Sequence, residues 1–276
     1  MKKHYHVAAA ISLLLCFCNI ARSQTAAPNP QEILRKMVAR YSSVSSYQDS
    51  GNVRVLSTPP SMISNLETPN FQNVSHQDEP LVCFKTFYLR PQMFRFEWNS
   101  SSLGILRAAT IWSDGEHPYR WVPTRASKKD EFLLQKGTAL RVFINEATGP
   151  SNGAIFFVPS LLIREVSHVS FADMLNTMSG LSIIREEKFD GEICHVIKGK
   201  IDAIPWMLWI GKDSHLLRKT RTLYTRGSFH EMVEKGLNET LMAEEIHRDI
   251  KVNEKISIEV FKFRPQLQAH DVDLTQ

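Results

Sequence analysis

The feature that most constrains the fold is an alternation of large apolar and charged residues in the middle of the chain. Phe94, Phe96 and Trp98 alternate with Arg95 and Glu97, which is the period of a strand with one apolar and one solvated face. Turn-forming residues recur at short intervals, at 90–91, 114–115, 190–191 and 211–214. Strands joined by such tight turns pair antiparallel with their chain neighbours. The pattern therefore predicts an antiparallel meander.

The same period and the same turn signals divide the chain into roughly eleven strands. The eleven strands lie near 81–89, 92–99, 105–113, 117–122, 129–135, 181–188, 192–200, 206–211, 216–226, 239–250 and 256–263, and a further strand near 52–57 precedes them. We expect these strands to form a single large curved sheet in a mainly β fold of the α+β class.

Two helical regions accompany the predicted sheet. Asn29 can cap a helix that begins at Pro30 and has Glu32 in its first turn. The apolar face of this helix consists of Ile33, Leu34, Met37, Val38, Tyr41 and Val44. Residues 58–80 carry four prolines and show little periodicity, which predicts a long surface excursion. Residues 137–178 form a helical insert, with short apolar helices near 140–147 and 155–163, and such helices must cover an apolar surface.

The beginning of the chain indicates export. Lys2 and Lys3 precede an apolar run at 7–18, and small residues follow at 21 and 23, the pattern of a signal peptide cleaved after Ser23. We therefore predict a signal peptide at 1–23, a single domain at 24–276 and a periplasmic location. The apolar run is too short to span a bilayer. A lipid anchor is the weaker alternative, because the residues before Cys16 and Cys18 do not match a lipidation motif.

Removal of the leader also removes most of the net positive charge. The full chain has 33 basic and 29 acidic residues, and without Lys2, Lys3 and Arg22 the difference falls from +4 to +1. A nearly neutral chain gives no electrostatic basis for binding nucleic acid. Cys83 and Cys194 are the thiols that remain. In an oxidising compartment they can form a disulfide or stay apart as small buried residues, and both readings are open.

Catalytic motifs are mostly absent from the sequence. His230 begins a run that resembles a zinc-peptidase motif, but the second histidine is missing. Ser151, within 149–153, matches the esterase pattern Gly-x-Ser-x-Gly, yet polar residues precede it where a nucleophile elbow requires a hydrophobic strand. His195 and His247 are interpreted as satisfied or solvated side chains. We expect no enzyme activity, no cofactor and no metal site.

Large apolar side chains concentrate on the predicted sheet. An ordinary filled core and an apolar ligand pocket are both compatible with this pattern. If a pocket exists, its ligand is an acyl chain or a lipid. The candidate ligand-binding residues on the sheet and the insert are Phe94, Phe96, Trp98, Trp112, Trp121, Phe143, Trp206 and Leu208.

Several segments resemble the LolA/LolB lipoprotein-carrier superfamily. The segment 90–96 reads Arg-Pro-Gln-Met-Phe-Arg-Phe, and 113–115 and 119–123 follow it in the family's order. Further matches lie at 44–47, 208–217 and 261–265. The resemblance implies an incomplete antiparallel barrel with a helical lid, which carries the acyl chains of lipoproteins or lipids through the periplasm to the outer membrane. It also implies that Arg90 holds the lid through hydrogen bonds to backbone, which adds it to the candidate ligand-binding residues. The alternative reading of Arg90 is a plain edge charge before a turn-forming proline.

The same superfamily includes RseB-like periplasmic sensors, which bind lipid or peptide and a membrane partner protein. A sensor is therefore the alternative to a carrier. The chain departs from the family pattern in its length, in the excursion at 58–80 and in Gln266, which replaces a second proline. Cargo and receptor contacts are consequently not implied.

Overall fold

A computed structural model describes residues 28–57, 81–100, 107–123, 132–137, 139–163, 170–202, 204–226 and 239–263. The predicted signal peptide, the excursion at 58–80 and His230 lie outside these ranges. No helix in the described ranges is both long and apolar enough to cross a bilayer.

Eleven strands form one antiparallel sheet. They are β1 Ser46–Ser57, β2 Val82–Leu89, β3 Met93–Ser100, β4 Arg107–Asp114, β5 Pro118–Pro123, β6 Phe132–Lys136, β7 Ser179–Phe189, β8 Glu192–Ile201, β9 Ile204–Gly211, β10 Leu217–Arg226 and β11 Glu239–Val252. Their order across the sheet is β6-β5-β4-β3-β2-β1-β11-β10-β9-β8-β7. The first and last strands therefore meet at the centre, and β6 and β7 form the two edges. The sheet is open, as predicted.

Four helices pack on one side of this sheet. Helix α1 (Pro30–Ser43) begins as predicted, with the Asn29 side chain accepting a hydrogen bond from the Gln31 backbone N–H at 2.9 Å. Helices α2 (Leu140–Thr148), α3 (Phe157–Leu162) and α4 (Phe171–Asn176) connect β6 to β7. Helix α2 contacts β4 and β5, α1 contacts β7, and α3 contacts α1 and α4. The helices thus extend over both halves of the sheet.

Side chains alternate between two faces of the sheet. Phe94, Phe96 and Trp98 of β3 are buried in one core with residues of α1 and of the insert, and we call this helix-covered side the inner face. Arg95 and Glu97 lie on the opposite, outer face. Strand β9 buries both of its sides, because Met207 and Trp209 belong to a second, smaller core on the outer face.

The structure corrects three details of the sequence prediction. The predicted strand at 256–263 is wrong: Ile258–Phe261 forms a 3₁₀-helix, and the Arg95 guanidinium donates to the Val260 carbonyl oxygen at 2.6 Å. Both edges of β11 are already paired, with β1 and β10, so a further strand has no place beside it. Strand β1 begins at Ser46 instead of near residue 52, and α4 was not among the predicted helices.

Candidate functional site

Six of the nine residues predicted to bind ligand meet on the inner face. Each is at most 6% exposed, and all belong to the main core: Phe94, Phe96, Trp98, Phe143, Trp206 and Leu208. Five of them come from β3 and β9, and Phe143 comes from α2. The helices bury them, since the sheet itself does not close. The inner face is therefore a broad apolar floor with a helical cover.

The cover touches the sheet through aromatic rings and one ion pair. The Phe157 and Phe171 rings lie 5.5 and 6.2 Å from the Trp206 ring. On the other side, the Arg120 guanidinium of β5 lies 5.1 Å from the Phe143 ring and pairs with Glu146 of α2. Such contacts contribute about 1 kcal/mol each. The insert is held by several small interactions.

Trp112 and Trp121 do not join this group. The Trp112 ring stacks on Tyr119 at 5.1 Å and meets Phe263 edge-on at 4.9 Å. The Trp121 ring lies 6.0 Å from Phe263. Trp112 lies opposite Arg95 in the register of β3 and β4, so the two-residue period of the strands places both tryptophans on the outer face. The predicted set is divided between two faces.

A groove of about 740 Å³ lies beside these tryptophans on the outer face. Lys85, Arg95, Glu97, Trp121 and Phe263 are among the residues that line it. An acyl chain bound there would take water away from several charged groups, which costs free energy. The groove therefore has a mixed lining of charged and apolar side chains, Trp98 among them.

Arg90 fastens the end of α1 to the sheet. It lies between β2 and β3, and its Nε and Nη2 atoms donate to the backbone oxygens of Val44 at 3.0 Å and Ser42 at 2.7 Å. The last carbonyl groups of a helix need donors from outside it, and a cation there also complements the helix dipole. The family resemblance implies bonds to the lid backbone, whereas here the helix held is α1.

Cys83 and Cys194 are free thiols. Cys83 on β2 is exposed, and Cys194 on β8 is buried. Four strands separate β2 from β8 in the sheet, so the disulfide alternative is not realised. Burial raises the pKa of the Cys194 thiol to about 11, which keeps it neutral in the ordinary pH range.

Ser151 and His195 have structural partners. Ser151 follows α2, is fully buried, and accepts a hydrogen bond from the Ile155 N–H at 3.3 Å. No strand runs into it, so the geometry is not that of a nucleophile elbow. His195 lies 3.4 Å from the Glu186 carboxylate, and burial lowers the pKa of its imidazole. Within the described ranges no group of histidine, cysteine or acidic residues has the arrangement of a metal site.

A buried polar cluster at the centre of the inner face was not predicted. His247 of β11 lies between two carboxylates, with Nδ1 at 2.8 Å from Asp49 Oδ2 and Nε2 at 3.0 Å from Glu245 Oε1. The Tyr47 hydroxyl donates to Asp49 Oδ2 at 2.8 Å. The side chains of Asp49, Glu245 and His247 are at most 2% exposed. Three ionisable groups are thus enclosed in an apolar core.

The electrostatics of this cluster favour a charged histidine. Burial alone lowers the pKa of the His247 imidazolium, but hydrogen bonds to Asp49 and Glu245 outweigh burial and raise that pKa to about 9. Burial raises the pKa of the Glu245 carboxyl. The two neighbouring carboxyl groups thus favour an imidazolium at His247.

No protein-family model and no curated protein matches the chain. Among solved structures, the chain is similar to the lipoprotein LppX of Mycobacterium tuberculosis, with 12% identity over 83% of this chain and 97% of that chain and a TM-score of 0.41. It is similar to LprF of Mycobacterium bovis, with 12% identity, 84% and 96% coverage and a TM-score of 0.45. A LolA superfamily protein of Nitrosomonas europaea matches with 13% identity, 85% and 98% coverage and a TM-score of 0.30. Such scores assign neither a ligand nor a residue role.

Proposed function

We propose that the protein is a periplasmic carrier that binds the acyl chains of lipids or lipoproteins against the inner face of its sheet and delivers them to the outer membrane. The observation that carries the proposal is an apolar floor that helices cover and that the sheet leaves open. Each methylene buried on such a floor contributes about 0.8 kcal/mol. The carrier performs no chemical step.

A carrier has to open, and the insert suits this task. Helices α3 and α4 have six residues each, which is too short for stability without tertiary contacts. Their contacts with the floor are mainly rings, among them Phe157 against Trp206. An acyl chain can replace ring contacts with contacts of the same kind, so binding and release both become feasible.

The location and the route rest on the sequence. The predicted signal peptide supports export, and the resemblance to the LolA/LolB superfamily supports a path between membranes. The inner face supports the ligand class alone.

A mass measurement on a matched pair of variants tests the proposal. The chain from Gln24 is isolated from the periplasm without detergent, and its native mass spectrum is recorded before and after solvent extraction. We expect additional mass that extraction removes. Ala109→Phe fills the inner face of β4, whereas Ala108→Phe makes the same change one residue away on the outer face. Crowding by an added ring on the inner face costs about 1–3 kcal/mol. We therefore expect Ala109→Phe to bind acyl chains about tenfold more weakly.

Ala108→Phe is expected to bind lipid as the unaltered chain does, and circular dichroism checks that both variants fold. A bare mass for the unaltered chain, with no uptake when lipids are offered afterwards, contradicts the proposal. Equal loss in the two variants contradicts the assignment to the inner face.

A further inference from the structure

Three oxygen atoms of the buried polar cluster have neither a hydrogen bond nor an ion pair in the described part of the chain. They are Asp49 Oδ1, Glu245 Oε2 and Thr86 Oγ1. Thr86 of β2 lies directly opposite Asp49 in the strand register and is fully buried. The partnerless atoms thus come from three adjacent strands at the centre of the sheet, β2, β1 and β11.

Partnerless buried oxygens are costly. A buried polar atom without its hydrogen bond costs about 1–3 kcal/mol, and a charged one costs more. His247 does not relieve these atoms, because its two nitrogens face Asp49 Oδ2 and Glu245 Oε1. The neighbouring Tyr47 hydroxyl is also committed, to Asp49 Oδ2. No other hydrogen bond to these three atoms is formed in the described structure.

The surroundings of the cluster suit an acyl chain. The His247 ring meets the Phe84 ring edge-on at 5.4 Å, and Phe84 stacks on Phe96 at 5.6 Å. The polar cluster is therefore an island in the apolar floor on which the proposed ligand lies.

We infer that the cluster binds the polar head of the carried ligand, and that this head donates hydrogen bonds, as a hydroxyl or amide group does. The inference rests on the proposed function and names its ligand class. Donors on the head satisfy Asp49 Oδ1 and Glu245 Oε2 while the chain lies along Phe84 and Phe96. An ionised carboxylate head brings no donor and meets the Asp49 and Glu245 side chains, so ionised fatty acids lie outside this class.

The test compares two probes that differ by one donor. Tetradecanol and methyl tetradecyl ether have the same chain, but the ether lacks the hydroxyl proton. Their dissociation constants are measured by displacement of an apolar fluorescent dye from the chain that begins at Gln24. We expect the alcohol to bind about tenfold more tightly, since a site with buried acceptors rejects an analogue without the donor.

Glu245→Gln and Asp49→Asn keep the shape of the site and supply an amide donor, which an ether oxygen can accept. Each variant is expected to reduce the preference for the alcohol to about twofold or less. The matched control is Glu187→Gln, which removes a carboxylate from the outer face near Trp209 and should keep the tenfold preference.

Three results overturn the inference. Equal affinities for the alcohol and the ether overturn it and leave the carrier function standing. If the preference for the alcohol persists in both Glu245→Gln and Asp49→Asn, another group binds the hydroxyl. Failure of every probe to bind removes the proposed function together with this inference.

Discussion

On the outer face of β10 and β11, Arg221 donates to Glu244 at 2.6 Å. One residue further along β11, Glu245 points to the inner face, and one of its carboxylate oxygens has no partner among the described residues. Both acidic side chains are buried to a similar degree. Buried atoms without a partner in the described residues occur on both faces, among them Arg54 Nε on the outer face, but those on the inner face include carboxylate oxygens.

A second buried charge on the outer face, Lys219 of β10, also has partners within the chain. Lys219 places its ammonium 4.0 Å from the centre of the Trp209 ring and 3.9 Å from Glu187 on the outer face. On the inner side of the sheet, Thr86 and Asp49 have buried oxygen atoms that lack a partner among the described residues. Buried polar atoms without a partner need an explanation, and a ligand that supplies the missing hydrogen bonds is one. The contrast between Lys219 and these two residues supports the proposed site on the inner face.

The largest effect is expected from removal of Asp49. Asp49→Ala leaves the His247 imidazolium buried with one fewer acidic partner, so the free energy of unfolding should fall by about 4 kcal/mol. Glu187→Ala, on the outer face and partly exposed, should change it by less than about 1 kcal/mol. Urea denaturation of both variants measures the difference. Similar losses would show that the two faces do not differ in this respect.

Stability should also fall as the solution becomes alkaline. The pKa of His247 is raised in the folded chain to about 9 from an ordinary value of 6.5, so its contribution is complete below pH 6.5 and is lost as the pH rises through 9. The raised pKa of Glu245 acts in the same direction. We expect the free energy of unfolding to decrease by roughly 3 kcal/mol across this window.

Urea denaturation at several pH values measures this slope. His247→Gln should flatten it, because glutamine carries no titrating proton. A slope that persists unchanged in His247→Gln would assign the dependence to other groups.

A smaller loss is expected at the attachment of α1. Arg90→Ala removes two charge-assisted hydrogen bonds to backbone oxygens, and the free energy of unfolding should fall by about 2 kcal/mol. Hydrogen exchange should accelerate at the C-terminal turn of α1. The control Arg35→Ala removes an exposed ion pair with Glu32 from the same helix. If it accelerates exchange equally, Arg90 has no special role.

The smallest effect is expected on the outer face. Lys219→Met replaces a partly desolvated cation, whose pKa burial lowers, with an apolar side chain that still covers Trp209. The lost cation–π contact and the relieved desolvation oppose each other, so the free energy of unfolding should change by less than about 1 kcal/mol. Thermal denaturation can detect a larger loss, which would place important charge pairing on the outer face.

The sequence predicted the sheet because its strands alternate strictly and its turns are short. Phe94, Phe96 and Trp98 needed no tertiary information, since a period of two assigns all three to one face. The prediction of a strand at 256–263 was wrong, because strand pairing depends on which edges of the sheet are free. The residues of a segment do not reveal which edges are free.

The predicted set of ligand-binding residues combined side chains of both faces for a related reason. In the sequence, Trp112 and Trp121 look like Trp206, because all three are large apolar residues in predicted strands. The face of the sheet on which each one lies depends on the register between strands. The polar cluster was not predicted, because Asp49 lies in a serine-rich stretch that favours a turn. His247 and Asp49 are 198 residues apart in the chain, so no local pattern joins them. The signal present was the alternation of Tyr47, Asp49, Gly51 and Val53 along β1.

A cross-link between the insert and the sheet tests directly whether lipid enters beneath the helices that cover the inner face. Arg120→Cys and Glu146→Cys, in a Cys83→Ser background, place thiols at the contact of α2 with β5, and a short bismaleimide can join them. Native mass spectrometry then follows lipid uptake by linked and unlinked protein. If lipid binds beneath the helices, linkage before lipid addition abolishes uptake, whereas linkage afterwards traps the lipid. Undiminished uptake by protein linked beforehand would contradict an inner-face site that the helices cover.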